Sequence, residues 1–171
     1  MLIDLIKGSN GCISKIAEIG VWRSKTMQRV LKACSDVITE YWAIDQWLPI
    51  PMPRGTRRER HIPAQEWEKQ HLRACYLMAQ WFPQIRVVRA DASDVAGIFP
   101  DGYFDLVFLD ADHHYDDVLR NIQEWLPKVR KDGVLSGHDY GERFEGVKRA
   151  VDEYFKGSAE ITDAEVWIKR V

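Results

Sequence analysis

The sequence predicts an α/β protein in which helices cover both faces of a mostly parallel sheet. Short apolar runs alternate along the chain with segments of helical spacing, a pattern typical of parallel strands joined by helices. Each run is apolar except at its ends, as expected for a strand that is covered on both faces. The 171 residues, of which 46% are hydrophobic, suffice for one core. We therefore expect a single domain over residues 1–171.

Five of the apolar runs are predicted to be parallel strands. In order along the chain they are residues 15–20, 40–45, 85–90, 104–110 and 133–139. The end of the chain, residues 164–171, alternates in hydropathy, and this pattern is typical of a strand. We expect this last strand to be antiparallel and to lie at the edge of the sheet.

Four segments have the spacing of helices that pack on a sheet. They are residues 24–34, 64–82, 115–129 and 145–155. In the third segment the apolar positions recur at steps of three and four residues, and these positions are Val118, Leu119, Ile122, Trp125 and Leu126. Polar residues such as Arg120 and Asn121 take the other face, so one side of this helix is predicted to contact the sheet.

Composition excludes several classes of function. The net charge of −2 provides no general positive field for nucleic acid or an anionic membrane. No stretch approaches the roughly 20 apolar residues of a membrane span, and the first residues lack the pattern of a signal peptide. Cys12, Cys34 and Cys75 include no CxxC pair, which argues against a disulfide framework or a zinc site. We expect a cytoplasmic protein with reduced thiols.

Residues 46–64 interrupt the alternation of strands and helices and are predicted to form a long loop. The segment contains four of the seven prolines and four arginines, namely Arg54, Arg57, Arg58 and Arg60. A loop of this length in a compact domain is either a cover over a substrate or a solvated insertion. Trp47 is predicted to contact the substrate, and the arginines suggest an anionic acceptor.

Acidic residues occur at the carboxyl ends of all five predicted parallel strands. They are Glu18, Asp45, Asp91, Asp110 and Asp139. Ligands of open α/β sheets bind outside these strand ends. The first strand is followed by a single glycine, Gly20, so the glycine-rich pyrophosphate loop of dinucleotide-binding proteins is absent. This pattern favours a cofactor without phosphates that carries an ammonium group and a ribose, whose hydroxyls Asp45 could bind.

Four sequence blocks within residues 16–155 occur in a specific order along the chain. They read AEIGVWRSKT, AID, ADASD and FLDADHHYDDVLRNIQEWLPKVRKDGVLSGHDY. Together they resemble the class I methyltransferases that use S-adenosylmethionine, and more narrowly the compact group called methyltransferase family 24. The resemblance implies a Rossmann-like three-layer sandwich with a mostly parallel seven-stranded sheet. It also implies S-adenosylmethionine as the cofactor.

The resemblance further implies that the cofactor lies along the ends of the first four strands. The predicted cofactor-binding residues are Glu18, Gly20, Val21, Trp22, Asp45, Asp91, Ala92 and Asp110. Of these, the first three would line the methionine part, Asp45 the ribose, and Asp91 with Ala92 the adenine. The family usually has glycines where this chain has Ser24 and Asp132, so the two turns at these positions are expected to differ in tightness.

A divalent metal site is also implied by the resemblance. Metal-dependent O-methyltransferases of this fold hold the cation with one acid after the fourth strand and two ligands after the fifth, and the matching residues here are Asp110, His138 and Asp139. Magnesium prefers oxygen ligands, so His138 weakens the case for magnesium and admits manganese, iron, zinc or no metal.

Three residues are predicted to be catalytic, namely Asp112, His113 and His138. Asp112 is the base by resemblance, with His113 as its competitor. Without a metal, His113 or His138 could act as the base, because histidine titrates near neutral pH. His114 and Tyr115 are expected to orient the loop or cap the following helix, and Asp116 and Asp117 to favour its dipole.

The sequence thus predicts a methyltransferase that uses S-adenosylmethionine and methylates an oxygen of a small molecule such as a sugar or polyol. The alternative is a cofactor-binding module that has lost catalysis and acts as a partner or regulatory subunit. The acidic and histidine residues after strands four and five argue against that alternative. The seven tryptophans and the predicted helix near residues 65–82 fit a homodimer interface and burial in a monomer equally well.

Overall fold

The computed structural model describes residues 2–49 and 62–171. Seven strands form one sheet, and their bounds are β1 Lys15–Ile19, β2 Glu40–Asp45, β3 Ile85–Arg89, β4 Phe104–Leu109, β5 Val129–Gly137, β6 Glu160–Ile161 and β7 Trp167–Arg170. The strand order is β3-β2-β1-β4-β5-β7-β6. The first five strands pair in parallel, whereas β7 is antiparallel to both β5 and β6. This architecture confirms the mostly parallel seven-stranded sheet.

Helices cover the sheet on both faces. Their bounds are α1 Leu2–Gly8, α2 Lys25–Cys34, α3 Ala64–Gln80, α4 Ala92–Ala96, α5 Tyr115–Trp125 and α6 Glu145–Phe155. Apolar residues of α1, α2 and α3 pack with one set of strand side chains that includes Ile16. Apolar residues of α4, α5 and α6 pack with the opposite set, which includes Ala17. Because successive residues of a strand point to opposite faces, these two clusters form the two cores of a three-layer sandwich.

Most predicted elements are present, and the differences have local causes. β5 begins at Val129 because its pairing with β4 shifts register, so that Phe104 faces Val129 while Leu106 faces Val134. A bulge of this kind adds residues to one strand only. The last strand is antiparallel as predicted, but its expected place at the sheet edge is wrong, since β6 lies outside it. Both residues of β6 are exposed, so this strand has no hydropathy pattern.

The parallel register brings three strand ends side by side. Ile19 of β1 pairs with Ile44 of β2 on one side and with Leu109 of β4 on the other. The next residue of each strand therefore lies at the same edge of the sheet, and these residues are Gly20, Asp45 and Asp110. Backbone hydrogen bonds continue the pairing past the strands, because the Asp110 N–H donates to Ile19 O and the His138 N–H donates to Leu109 O.

Gly20 permits a close contact between two chain segments at this edge. Its φ is +88°, a left-handed value that side chains disfavour. A Cβ atom built on Gly20 would lie 2.2 Å from the Asp110 carbonyl oxygen and 2.6 Å from the Ala111 Cα. The backbone after β4 therefore passes directly over Gly20, and no larger residue fits there.

The two positions where the resemblance implied glycine adopt left-handed backbone conformations. Ser24 has φ +57° and Asp132 has φ +62°. Both turns therefore keep the geometry that glycine would favour, at a cost on the order of 1 kcal/mol for a residue with a side chain. Ser24 is also fully buried, and its hydroxyl has no hydrogen-bond partner.

The described chain has neither disulfide bonds nor a membrane-length helix. All three cysteines are free, with Cys12 exposed and Cys34 buried. None of the helices in residues 2–49 and 62–171 combines the length and apolar character that crossing a bilayer requires.

Replacing Ser24 by glycine is expected to stabilise the protein by about 0.5–1 kcal/mol. The change removes the left-handed strain and the unpartnered buried hydroxyl, and the greater freedom of glycine in the unfolded chain offsets part of the gain. Urea unfolding measures the difference. Ser24→Ala serves as the control, because it removes the hydroxyl and keeps the strain. A Ser24→Gly protein no more stable than Ser24→Ala would contradict this explanation.

Candidate functional site

A small cavity lies beyond the carboxyl ends of β4 and β5. All residues predicted to be catalytic or to bind metal line it, namely Asp110, Asp112, His113, His138 and Asp139. Asn121 of α5 and Trp167 of β7 also line the cavity and were not predicted. Asn121 belongs to the helix face that was expected to be polar and solvated, so the hydropathy pattern gave no indication of a site.

Asp139 is held between two histidine rings. Its Oδ2 lies 2.7 Å from His113 Nε2 and its Oδ1 lies 3.0 Å from His138 Nδ1. Burial opposes ionisation of Asp139, but the hydrogen bonds from His113 and His138 outweigh it and hold the pKa of this carboxyl far below its usual range. The hydrogen bond to Asp139 in turn raises the pKa of His138. Asp139 is therefore a stable carboxylate that fixes both rings.

Asp110 lies beside this group and is partly buried. Burial raises its pKa to about 7, and the nearby Asp139 adds to the increase, whereas His138 and His113 oppose it. One donor atom each of Asp110, His138 and Asp139 lies within 4.8 Å of the others. The structure thus brings together the three residues that were predicted as metal ligands.

Two residues after β5 hold His113 in place. The His113 ring stacks on Phe144 with a centroid separation of 4.2 Å and an interplanar angle of 23°. A Cβ atom built on Gly146, in the first turn of α6, would lie 2.3 Å from the His113 carbonyl oxygen. Sequence reasoning missed both residues, because they are 31 and 33 positions from His113 and carry no chemical signature of their own.

The Asp112 side chain contacts the turn that immediately follows it in the sequence. Its Oδ1 accepts a hydrogen bond from the His114 backbone N–H at 2.7 Å and lies 2.5 Å from His114 Nδ1. His114 occupies the N-cap position of α5, and Tyr115 donates its hydroxyl hydrogen to Glu153 of α6 at 2.6 Å. These contacts agree with the expected orienting roles of His114 and Tyr115.

Glu18 is fully buried next to the same edge of the sheet. Its Oε2 accepts a hydrogen bond from the Tyr41 hydroxyl at 2.5 Å. Burial raises the pKa of Glu18 to about 8, and Asp110 and Asp45 add to the increase, while the Tyr41 hydrogen bond opposes it. Three acids that are far apart in the sequence therefore lie close enough to affect one another's charge.

Asp45 binds the backbone of the loop that follows β1. Its Oδ2 accepts hydrogen bonds from the N–H groups of Val21 and Trp22, both at 2.8 Å, and its Oδ1 accepts one from the Trp47 N–H at 2.6 Å. A carboxylate has about four acceptor positions, so three of them are used within the protein. The predicted contact with a ribose would have to share this carboxylate.

Asp91 and Ala92, which were predicted near the adenine, lie at the start of a short helix. Asp91 is the N-cap of α4 and accepts a hydrogen bond from the Ser93 N–H at 2.9 Å, and Ala92 is the first residue of that helix. Trp22 is 36% exposed and could meet a ligand. The N-cap contact accounts for Asp91 by local structure alone.

The expected substrate contact of Trp47 is wrong. Its side chain is fully buried, donates its ring N–H to the Trp22 carbonyl at 3.1 Å and packs 4.9 Å from the His71 ring. Its ring N–H, the one polar group of the side chain, is thus already bound within the protein, and its ring packs in the core. The arginines that suggested an anionic acceptor, Arg54, Arg57, Arg58 and Arg60, lie outside the described residues.

Raising the pH from about 5 to about 8 is expected to destabilise the cofactor-free protein. Glu18 keeps its proton up to about pH 8 when folded and loses it near pH 4.5 when unfolded. Between these values the folded state binds more protons, so the free energy of unfolding falls as pH rises, by at most about 1.4 kcal/mol per pH unit for one such group. Urea unfolding at pH 5, 6.5 and 8 measures the slope.

Glu18→Gln is the control for this slope, because glutamine does not titrate. In this variant the free energy of unfolding should fall less steeply with pH, because Glu18 no longer contributes. The contributions of Asp110 and His138, whose pKa values are also raised in the folded protein, should remain. Identical slopes in the two proteins would show that Glu18 does not carry a proton in the folded state.

Comparisons with known proteins place this chain in a family. A family model described as a methyltransferase domain matches residues 17–140. No curated protein matches the sequence. Solved structures with the same fold include a protein from Corynebacterium glutamicum, with a TM-score of 0.63 and 16% identity over 98% of this chain and 77% of that chain.

Two further solved structures are described by their chemistry or their ligand. The O-methyltransferase NovP has a TM-score of 0.64 and 23% identity, covering 98% of this chain and 75% of NovP. The cofactor-bound Rv0187 from MTB has a TM-score of 0.65 and 14% identity, covering 99% of this chain and 78% of that chain. These similarities establish the Rossmann-like fold. The family match spans well over half of the chain, and this protein therefore belongs to the methyltransferase domain family and is a class I S-adenosylmethionine-dependent methyltransferase.

Proposed function

We propose that this methyltransferase methylates an oxygen atom of a small molecule, such as a sugar or polyol, with the assistance of a divalent cation. The observation that carries the proposal is the group formed by Asp110, His138 and Asp139, whose donor atoms lie within 4.8 Å of one another at the end of the sheet. The similarity of the fold to NovP, which is described as an O-methyltransferase, supports an oxygen acceptor.

The donor atoms fit a divalent cation of mixed ligand preference. Two carboxylates and one imidazole suit manganese, iron or zinc better than magnesium, which prefers oxygen ligands alone. When bound, such a cation would stabilise the negative charge that develops on the acceptor oxygen. Asp139 carries a negative charge without help from a cation, because its hydrogen bonds from His113 and His138 keep its pKa low.

His113 is the residue that we propose as the base. Stacking on Phe144 and the contact with Asp139 fix its ring. In the tautomer that donates Nε2–H to Asp139, the Nδ1 atom carries a lone pair that can accept the proton of an acceptor hydroxyl. Asp112 is less available, since its Oδ1 is already bound to His114. The remaining contribution of the protein is alignment of the acceptor oxygen with the methyl group.

Asp139→Asn is expected to weaken Mn²⁺ binding by about tenfold or more, because it removes the charge of one ligand and disturbs the two histidines. Calorimetric titration with Mn²⁺ in the presence of S-adenosylhomocysteine measures the affinity. Asp36→Asn is the matched control, since Asp36 is exposed after α2, does not line the cavity and is not among the acids and histidines whose donor atoms lie close enough to share a cation. Equal affinities of wild type and Asp139→Asn for Mn²⁺, or no binding by either, would overturn the metal site.

Transfer of a labelled methyl group to a panel of sugars, polyols, catechols and small amines tests the acceptor class. We expect oxygen-methylated products whose yield rises with Mn²⁺ and falls by about 10²-fold or more in His113→Ala, the typical loss of a general base. Methylation of nitrogen acceptors alone would overturn the proposal. Cofactor binding without transfer to any acceptor would instead favour the non-catalytic binding module.

A further inference from the structure

Tyr41 and Glu18 form a buried pair on one face of the sheet. Ile16 of β1 is the partner of Tyr41 of β2 in the parallel register, and Glu18 is the partner of Ala43. Because side chains alternate along a strand, Tyr41 and Glu18 point to the same face, and the tyrosine ring extends along the sheet toward its carboxyl edge. Both side chains are 1% exposed, and their oxygens are 2.5 Å apart.

In the part of the chain that the structure describes, Glu18 has acidic neighbours and no cation beside it. Within residues 2–49 and 62–171, no lysine, arginine or histidine forms an ion pair with Glu18. The titratable groups that act on it are Tyr41 and Asp45 of β2 and Asp110 after β4. A buried carboxylate in such surroundings is costly, so the carboxyl group takes up a proton instead. In agreement, burial raises the pKa of Glu18 to about 8, so the protonated form is favoured at neutral pH.

We propose that Tyr41 is a positioning residue of the cofactor site, and that the Tyr41–Glu18 pair holds a proton which leaves when the cationic methionine end of S-adenosylmethionine binds. The inference rests on the proposed assignment of Glu18 to the methionine part of the cofactor. The proton passes from the Glu18 carboxyl to the solvent, and no other bond is made or broken. The resulting carboxylate then has a cation beside it.

The hydrogen bond from Tyr41 has two effects on this exchange. It engages Glu18 Oε2, which leaves Oε1 as the oxygen that would accept from the ammonium group of the ligand. It also favours the ionised form of Glu18, because a hydroxyl donates more strongly to a carboxylate than to a carboxylic acid. Without this hydrogen bond, Glu18 would give up its proton less readily, and the cofactor would bind more weakly at neutral pH.

Isothermal titration with S-adenosylmethionine at pH 7.0 in two buffers, phosphate and Tris, measures the protons released. The buffers differ in ionisation enthalpy, so the observed heats differ in proportion to the number of protons. EDTA in both buffers keeps metal binding out of the measurement. We expect the wild type to release about one proton more than Glu18→Gln. Equal release by the two proteins would overturn the inference.

Tyr41→Phe tests the positioning role with little change in shape. We expect its dissociation constant for S-adenosylmethionine to rise by about tenfold at pH 7.0, in line with loss of a hydrogen bond to a charged group. The difference from wild type should shrink as the pH is raised toward 9, because the proton is then lost in both proteins. A loss of affinity that is the same at every pH would indicate a purely structural role and would contradict the proposal.

Tyr103→Phe is the matched control. Tyr103 also donates to a glutamate, with 2.7 Å between its hydroxyl and Glu40 Oε2, but Glu40 begins β2 at the opposite end of the sheet. This variant should bind the cofactor and release protons as the wild type does. Should Tyr41→Phe fail to fold, the comparison of wild type with Glu18→Gln still decides the proton release. Failure of O-methylation or of Mn²⁺ binding leaves these measurements unaffected, since they involve neither an acceptor nor a metal.

Discussion

The close backbone contact between Gly20 and Asp110 is the constraint on which the site depends. It requires a residue without a side chain at the end of β1, and it places the segment after β4 directly over that position. Parallel pairing of β1 with β2 and β4 brings the third strand end alongside. Residues separated by 90 positions in the sequence thereby share one edge of the sheet, and the residues predicted to be catalytic or to bind metal lie around that edge.

The acidic residues at this edge differ in how their charge is stabilised. Asp139 remains ionised because two imidazoles donate to it. Among the described residues no imidazole donates to Glu18 or Asp110 in this way, and burial raises their pKa values to about 8 and about 7. Asp139 is therefore ionised before a ligand binds, whereas Glu18 and Asp110 would ionise when a positively charged ligand binds beside them.

Hydropathy predicted the parallel strands and the acids at their ends, because both follow from local patterns, and the family resemblance predicted the metal ligands and catalytic residues. The five parallel strands and the acids after them were identified on this basis, and the structure places Asp110, Asp112, His113, His138 and Asp139 around one cavity. Contacts that depend on tertiary packing could not be predicted. The contact of Phe144 with His113 depends on the packing of α6. Trp47 follows β2 in a segment predicted to be a loop, but tertiary packing buries its side chain completely.

The sharing of Asp45 among three backbone N–H groups has a mechanical consequence. One oxygen holds the loop after β1, which contains Val21 and Trp22, and the other holds Trp47, where the chain leaves β2 toward α3. A ligand that drew this carboxylate toward itself would pull on both segments at once. The Asp45 side chain thus links the two segments. Binding of a ligand at this edge of the sheet would therefore change the order of both segments together.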